Sequence, residues 1–192
     1  MSLIEQLTFR LETPDDHRQV EELTRRAFGH DCDEHFIVHL LRESPSYIPE
    51  LCFIACDGNE ILGHILYTRA YIHSPGGQKH EVISFGPISV LPEYQSKGIG
   101  TALIELTIAI AKNKGDHDAV FIYGDPEYYH RFGFTNAVRY DVTTPKGENF
   151  EEFMGMELYP GGLLGIKGKL HQDAAFTVDK AALREFDKMF AL

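Results

Sequence analysis

Apolar positions in this chain change their period along its length, and each change marks an element. Thr8-Phe9-Arg10-Leu11 has the length and alternation of a short strand. From Thr13, a candidate N-cap followed by Pro14, the period lengthens to that of a helix, with Val20, Leu23, Ala27 and Phe28 on one face. A second helical stretch from Asp33 to Arg42 turns Phe36, Ile37, Leu40 and Leu41 inward. Leu51 to Cys56 is a continuous apolar run of strand length, Asp57-Gly58-Asn59-Glu60 a hairpin turn, and Ile61 to Ile72 a long second arm. The chain turns again at Ser74-Pro75-Gly76-Gly77 and returns from Val82 to Leu91. Thr101 to Lys114 reads as a long helix and Ala119 to Tyr123 as a short buried strand. Met154, Met156 and Leu158 alternate once more, and a last helix from Asp179 sets Leu183, Phe186 and Phe190 on one face. Three antiparallel strands, a helix, then a strand parallel to the last predict an α/β protein with a mixed sheet (α+β in kind), not a doubly wound one.

Gly86-Pro87 interrupts the third long strand. Proline has no N–H to give to a ladder, so it marks either an edge strand or a bulge. A bulge here would splay this strand from its parallel neighbour, Ala119 to Tyr123, and leave backbone groups of Ile88 and Val90 unpaired. An extended ligand carrying amides could pair with them like an added strand.

The same strand runs into Leu91-Pro92-Glu93-Tyr94-Gln95-Ser96-Lys97-Gly98-Ile99-Gly100, which opens the long helix. Glycines let backbone N–H groups approach phosphate oxygens, and a helix N-terminus adds roughly half a positive charge there. Lys97 precedes Gly98, and no Lys stands between Gly100 and Thr101, so the P-loop spacing fails. A dinucleotide fingerprint wants a third glycine or alanine where Leu103 stands. The pattern Gln/Arg-x-x-Gly-x-Gly/Ala is met in full by Gln95 to Gly100. A second motif follows at Gly124-Asp125-Pro126-Glu127-Tyr128-Tyr129-His130-Arg131-Phe132-Gly133-Phe134, where Asp125 caps a short helix that Gly133 ends.

Together these motifs resemble those of the GNAT superfamily of acetyltransferases, and the likeness extends over most of the chain. Pro49-Glu50-Leu51, Gly63-His64-Ile65-Leu66 and Phe153 to Leu163 are similar to a small-molecule N-acetyltransferase subgroup with a C-terminal extension. The resemblance implies the GNAT-like acyl-CoA N-acyltransferase fold with a splayed central strand pair, and acetyl-CoA as donor. It implies that the loop Gln95, Ser96, Lys97, Gly98, Ile99, Gly100 and Thr101 holds the pyrophosphate through backbone N–H groups. Ile88, Ser89 and Val90 would pair with the pantetheine and polarise the thioester carbonyl. Tyr129, two residues before Arg131-Phe132-Gly133-Phe134, holds the position of a phenol that serves the family as general acid beside the thioester sulfur. In some members histidines on the splayed strand relay the amine's proton; the matching positions here are Ser84 and Gly86, neither of which is a base. Glu50, His64 and Glu127 are the remaining candidates.

With 192 residues and 43% hydrophobic content the chain forms one domain, read as a core over 1–148 and an extension over 149–192 packed on it. A formal net charge of −11 argues against sequence-independent nucleic-acid binding and suits a cationic small substrate. No apolar run is long enough to cross a membrane, and Met1 to Arg10 lacks the order of a secretory leader. Three cysteines, Cys32, Cys52 and Cys56, fit a reducing cytoplasm. Cys32, His35 and His39 share helical spacing but no conventional metal pattern, so no metal site is assigned. The expectation is therefore direct transfer of an acetyl group to a primary amine of a small molecule. The alternatives are a non-catalytic acyl-CoA-binding or sensing domain, and an acyltransferase that uses a hydroxyl acceptor or another acyl chain. An exposed strand or helix after Glu148 could support a homodimer.

Overall fold

The periods read above become six α-helices and nine strands among the residues that the computed structural model describes, 3–190. Met1 and Ser2, within the stretch read for a leader, and Ala191 and Leu192 lie outside them. In chain order the elements are α1 (Leu3–Gln6), β1 (Thr8–Leu11), α2 (His17–Phe28), α3 (Glu34–Arg42), β2 (Phe53–Asp57), β3 (Glu60–His73) and β4 (Lys79–Val90). Then follow α4 (Ile99–Lys114), β5 (Ala119–Tyr123), α5 (Pro126–Tyr129), β6 (Thr135–Asn136), β7 (Val142–Thr143), β8 (Phe153–Glu157), β9 (Gly168–His171) and α6 (Lys180–Asp187). The strands hydrogen-bond in the order β1-β2-β3-β4-β5-β8-β6, with β9 on β3 and β7 on β9, a mixed sheet as the alternation predicts. The chain divides into two compact units: residues up to Leu66, Pro87–Ile104 and residues from Ala174 form one, Tyr67–Gly86 and Glu105–Asp173 the other.

In the first unit β1 lies antiparallel to β2 from Thr8↔Cys56 to Leu11↔Phe53, and β2 antiparallel to β3 from Phe53↔Ile65 to Asp57↔Glu60. Helix α2 buries Val20, Glu21, Leu23 and Thr24. Phe28, expected on that face, is 46% exposed, because it is the last residue of the helix and carries the apolar stripe past the buried part. The inner face of α3 is also turned from the expected one: His35, Phe36, Val38 and Leu41 are buried while Ile37 and Leu40 are only half-buried. The reason is electrostatic. Arg42 is drawn inside between Glu12 and Glu21, its Nη2 on Glu12 Oε1 and its Nη1 3.0 Å from Glu21 Oε1. Tyr47 donates to Glu12 Oε2 at 3.1 Å, and His64 Nε2 lies 3.4 Å from the same oxygen. Helix α6 covers α3 through Phe36, Leu183 and Phe186, with Lys180 Nζ 2.7 Å from Asp33 Oδ1.

In the second unit the far end of β3 pairs with β9 (Tyr71↔His171), and β5 pairs antiparallel with β8 along its whole length, from Ala119↔Glu157 to Tyr123↔Phe153. Strand β8, from the segment read as an extension, also carries β6. Ala70, Ile72, Val82, Phe121, Phe153 and Leu170 form the core between these strands. The parallel register of β4 with β5 is recorded at Ile83↔Val120 and Ser84↔Phe121. Gly86 follows at φ 143°, in a region that side chains disfavour, and Pro87 has no N–H to continue the ladder. No helix of the described residues is long and apolar enough to cross a membrane.

Burial alone would raise the Glu12 carboxyl, but His64 and Arg42 outweigh it and hold its pKa down at about 2. A depressed carboxyl contributes stability that is present above its ordinary value of 4.5 and lost as the pH falls toward 2. Glu12→Gln, which leaves buried Arg42 with Glu21 alone of its two charge partners, should cost about 3 kcal/mol in urea unfolding at pH 7. The variant's stability should also fall less steeply than that of the parent between pH 4.5 and pH 2.

Candidate active site

The end of β4 is held on one side. Leu91 N donates to Leu62 O of β3 at 2.9 Å. Because successive amides of a strand point to opposite sides, those of Ile88 and Val90 point away from β3. Val90 O on that open side accepts from Gln95 Nε2 at 3.1 Å, so the side chain of Gln95 ties the following loop back to the strand. Ser89 turns its hydroxyl the other way, into a buried hydrogen bond of 3.0 Å with Thr24 Oγ1 of α2. Ser89 therefore offers the site its backbone, not its side chain.

After Leu91 a single 3-10 turn, Pro92–Tyr94, leads to two residues with positive φ, Ser96 at 58° and Gly98 at 91°. An added Cβ at Gly98 would meet only ordinary contacts at 3.6 Å, so the constraint on this glycine is its backbone conformation, not space. Ala102 N donates to Gly98 O at 2.9 Å, and the helix starts at Ile99, two residues before the expected Thr101. The N–H groups of Ile99, Gly100 and Thr101 are those of a first helical turn, which has no intrahelical acceptor to give them. Lys97, exposed, sits with its ammonium 5.1 Å above the Tyr94 ring, and Arg26 of α2 pairs with Glu93 at 2.7 Å. The corner thus combines open amides, the positive end of a 16-residue helix and one cation.

Tyr129 closes α5 in the second unit. Asp125 caps that helix by accepting from Glu127 N at 2.9 Å. The phenol ring lies among Tyr128, Phe134, Phe85 and Phe132, with centroids 5.0, 5.9, 6.0 and 6.3 Å away. Gly124 leaves the room: a Cβ there would fall 2.2 Å from Tyr129 Cε2. Burial, with smaller contributions from Tyr128 and Asp125, pushes the Tyr129 pKa up to about 12. Among the described residues nothing hydrogen-bonds its hydroxyl, and the oxygen keeps accessible surface. This is a phenol that holds its proton and has no partner of its own.

The candidate bases are placed elsewhere. Ser84 is fully buried, donates to Phe121 O at 2.7 Å and accepts from Gln172 Nε2 at 2.7 Å. Beside Gly86 no atom lies within 4 Å of an added Cβ. His64 is fully buried against Glu12, while Glu50 and Glu127 are exposed. His39 pairs with Glu21 at 3.0 Å, and no group of three or more His, Cys, Asp or Glu among the described residues could hold a metal ion. Sequence reading passed over Thr24 and Gly124. Gly124 carried a signal, as the residue that opens the second motif; Thr24 lies 65 residues from Ser89 and carried none.

Comparison with known proteins assigns the family. Residues 14–134 match the model of the acetyltransferase (GNAT) family. Over 131 residues the chain is 33% identical to an uncharacterized N-acetyltransferase, YjhQ, of Escherichia coli K12, a match that covers 68% of this chain and 71% of that one. The chain belongs to the GNAT family of acetyltransferases. Two solved GNAT structures extend the match. YhbS of Escherichia coli, solved in complex with CoA, superposes with a TM-score of 0.80 over 90% of this chain and 93% of its own, at 24% identity, a likeness of fold. A GNAT family acetyltransferase of Brucella melitensis, solved with acetyl-CoA, gives 0.70 over 88% and 97%, at 26% identity. The GNAT fold expected from the motifs is the fold observed, and the two motifs lie where they were read, at the strand-to-helix corner and on α5.

Thr24→Val keeps the volume but leaves the buried Ser89 hydroxyl without a partner. It should destabilise the protein by about 1–2 kcal/mol in thermal or urea unfolding, and Thr24→Ser should restore most of the loss.

Proposed function

We propose that this GNAT protein moves an acetyl group from acetyl-CoA to a primary amine of a small molecule by direct attack. The observation that carries the reading is the corner itself: left-handed Ser96 and Gly98 turn the chain so that the first-turn amides of a 16-residue helix are left open. A diphosphate is the ligand such a corner suits. Ser96 to Thr101 hold it through backbone N–H groups, with Lys97 adding charge at an exposed position and Gln95 bracing the loop against Val90. The outward amides of Ile88 and Val90 pair with the amide-bearing arm and donate to the thioester oxygen as it gains charge. One such donor lowers the barrier by about 3 kcal/mol.

The thioester supplies the acetyl group and a thiolate leaving group. Tyr129 meets that sulfur as a proton-bearing phenol. A free thiol of this kind has a pKa of about 8.5, so full transfer from a phenol at about 12 runs uphill by about 5 kcal/mol. Tyr129 therefore acts first as a hydrogen-bond donor to the developing charge. The proton it gives is replaced from the amine, which must lose one as the new bond forms. With Ser84 sealed and Gly86 bare, no side chain is assigned as base, and the amine reacts in its neutral fraction. The net charge of −11 favours cationic acceptors in the surrounding solution.

The reading is tested with acetyl-CoA and a panel of amines, polyamines, aminoglycosides, amino acids and peptide N-termini, following released thiol. Acetyl-CoA binding without turnover on any member would instead favour a sensing domain. Tyr129→Phe should lower turnover well over tenfold and leave the acetyl-CoA Kd within about twofold; equal turnover removes the phenol from the chemistry. A group with its pKa near 12 keeps its proton through the alkaline range. The parent's turnover should therefore rise with pH as the amine deprotonates and show no fall from this residue below about pH 11. At the corner, Gly98→Val forces a branched side chain into φ 91°, and calorimetric titration should find acetyl-CoA binding weakened at least a hundredfold.

A further inference from the structure

One cluster of reactive side chains has no part in the chemistry above. Cys32 Sγ, at the entry to α3, lies 3.4 Å from His35 Nδ1, and the other nitrogen of that ring lies 2.8 Å from Asp187 Oδ1 at the end of α6. His35 has no exposed surface, while Cys32 is partly open; Cys52 and Cys56 are buried. As a carboxylate, Asp187 can only accept, so the hydrogen of the neutral ring sits on Nε2 and Nδ1 presents its lone pair to the thiol. A nucleophile, a base within hydrogen-bond reach and a third group that fixes the tautomer are the three parts of an activated nucleophile.

Two aromatic rings pack against the histidine. Phe186 and Phe190 pack on it with centroids 5.6 and 5.3 Å away, and Arg25 of α2 brings its Nε to 3.9 Å from Asp187. Glu34 and His39 stand on the same helix, the latter held by Glu21. Burial pushes the Cys32 thiol up, so it rests as S–H and becomes nucleophilic only as a base removes the proton.

We propose that Cys32 is a base-assisted nucleophile and a modification site for small disulfides, with His35 as its base and Asp187 as the group that positions the ring. The Cys32 sulfur attacks one sulfur of R–S–S–R, and its proton passes to His35 Nδ1. The S–S bond breaks, and the departing thiolate takes the proton as RSH, leaving Cys32–S–S–R. The small disulfide is itself the oxidant, so the exchange needs no other electron acceptor.

The test is the reaction of the native, folded chain with excess 4,4′-dithiodipyridine, followed by thiopyridone release from pH 5 to pH 9. A neutral probe avoids repulsion by a chain of net charge −11. One thiol per chain should react in a fast phase, map to Cys32 by peptide mass spectrometry and vanish in Cys32→Ser. Its rate should rise by much less than tenfold per pH unit over this range, because the proton is taken up within the Cys32–His35 pair and not by hydroxide. His35→Gln and Asp187→Asn should each slow it at least tenfold. Asp187→Asn keeps an acceptor for Nε2 and removes only the charge, so it decides the matter if His35→Gln fails to fold. A rate that climbs about tenfold per pH unit across the whole range and is equal in Asp187→Asn overturns the proposal, as does the absence of a fast phase.

Discussion

Proline cannot donate to a β-ladder, and that one missing hydrogen organises this protein. The parallel register of β4 and β5 is recorded at Ile83 and Ser84 and goes no further toward Pro87. Gly86, with φ 143°, takes up the change of direction. On its other side β4 remains tied to β3 through Leu91 and Leu62, so the strand keeps its place. Side chains from two neighbouring segments hold the last residues of the strand in place. Thr24 pins Ser89 from α2, and Gln95 holds Val90 from the loop. The corner at Gly98 then follows from the same strand running out into α4.

What could be read in the sequence is what local geometry alone enforces. The Gln95 to Gly100 spacing and the Asp125-Pro126 cap act within a few residues, and each appears in the structure as the entry to a helix, while Gly86 takes the positive φ that a glycine before Pro87 permits. Misplaced helix faces have the opposite origin. The apolar count turned Ile37, Leu40 and Phe28 inward, whereas the interior took in His35, Glu21, Glu12 and Arg42. A polar or charged side chain is taken inside only with a partner for it, and Glu12 finds Arg42 at a separation of 30 residues and His35 finds Asp187 at 152. No period of three or four residues encodes such a pairing. Nor does it encode the contact of Thr24 with Ser89, which ties a helix to the strand whose amides matter.

The two ends of the proposed chemistry are built by different means. The proposed anion-holding corner is a backbone device, built on the positive φ of Ser96 and Gly98 and not open to a bulky residue at Gly98. The phenol is a packing device: four aromatic rings around Tyr129 and the bare Cα of Gly124 exclude water from one side and raise its hold on its proton. A residue that merely resembled tyrosine in polarity would lose that environment.

Strand β8 sits between β5 and β6, although some thirty residues of chain separate it from β5. Until Phe153 to Glu157 have emerged from the ribosome, the apolar strand Ala119 to Tyr123 has nothing to pair with along its whole outer edge. A nascent chain stalled before that point would expose a flat, β-branched and aromatic edge, the kind that recruits other chains. The outer edge of β5 is thus covered only by a five-residue segment that comes late in the chain.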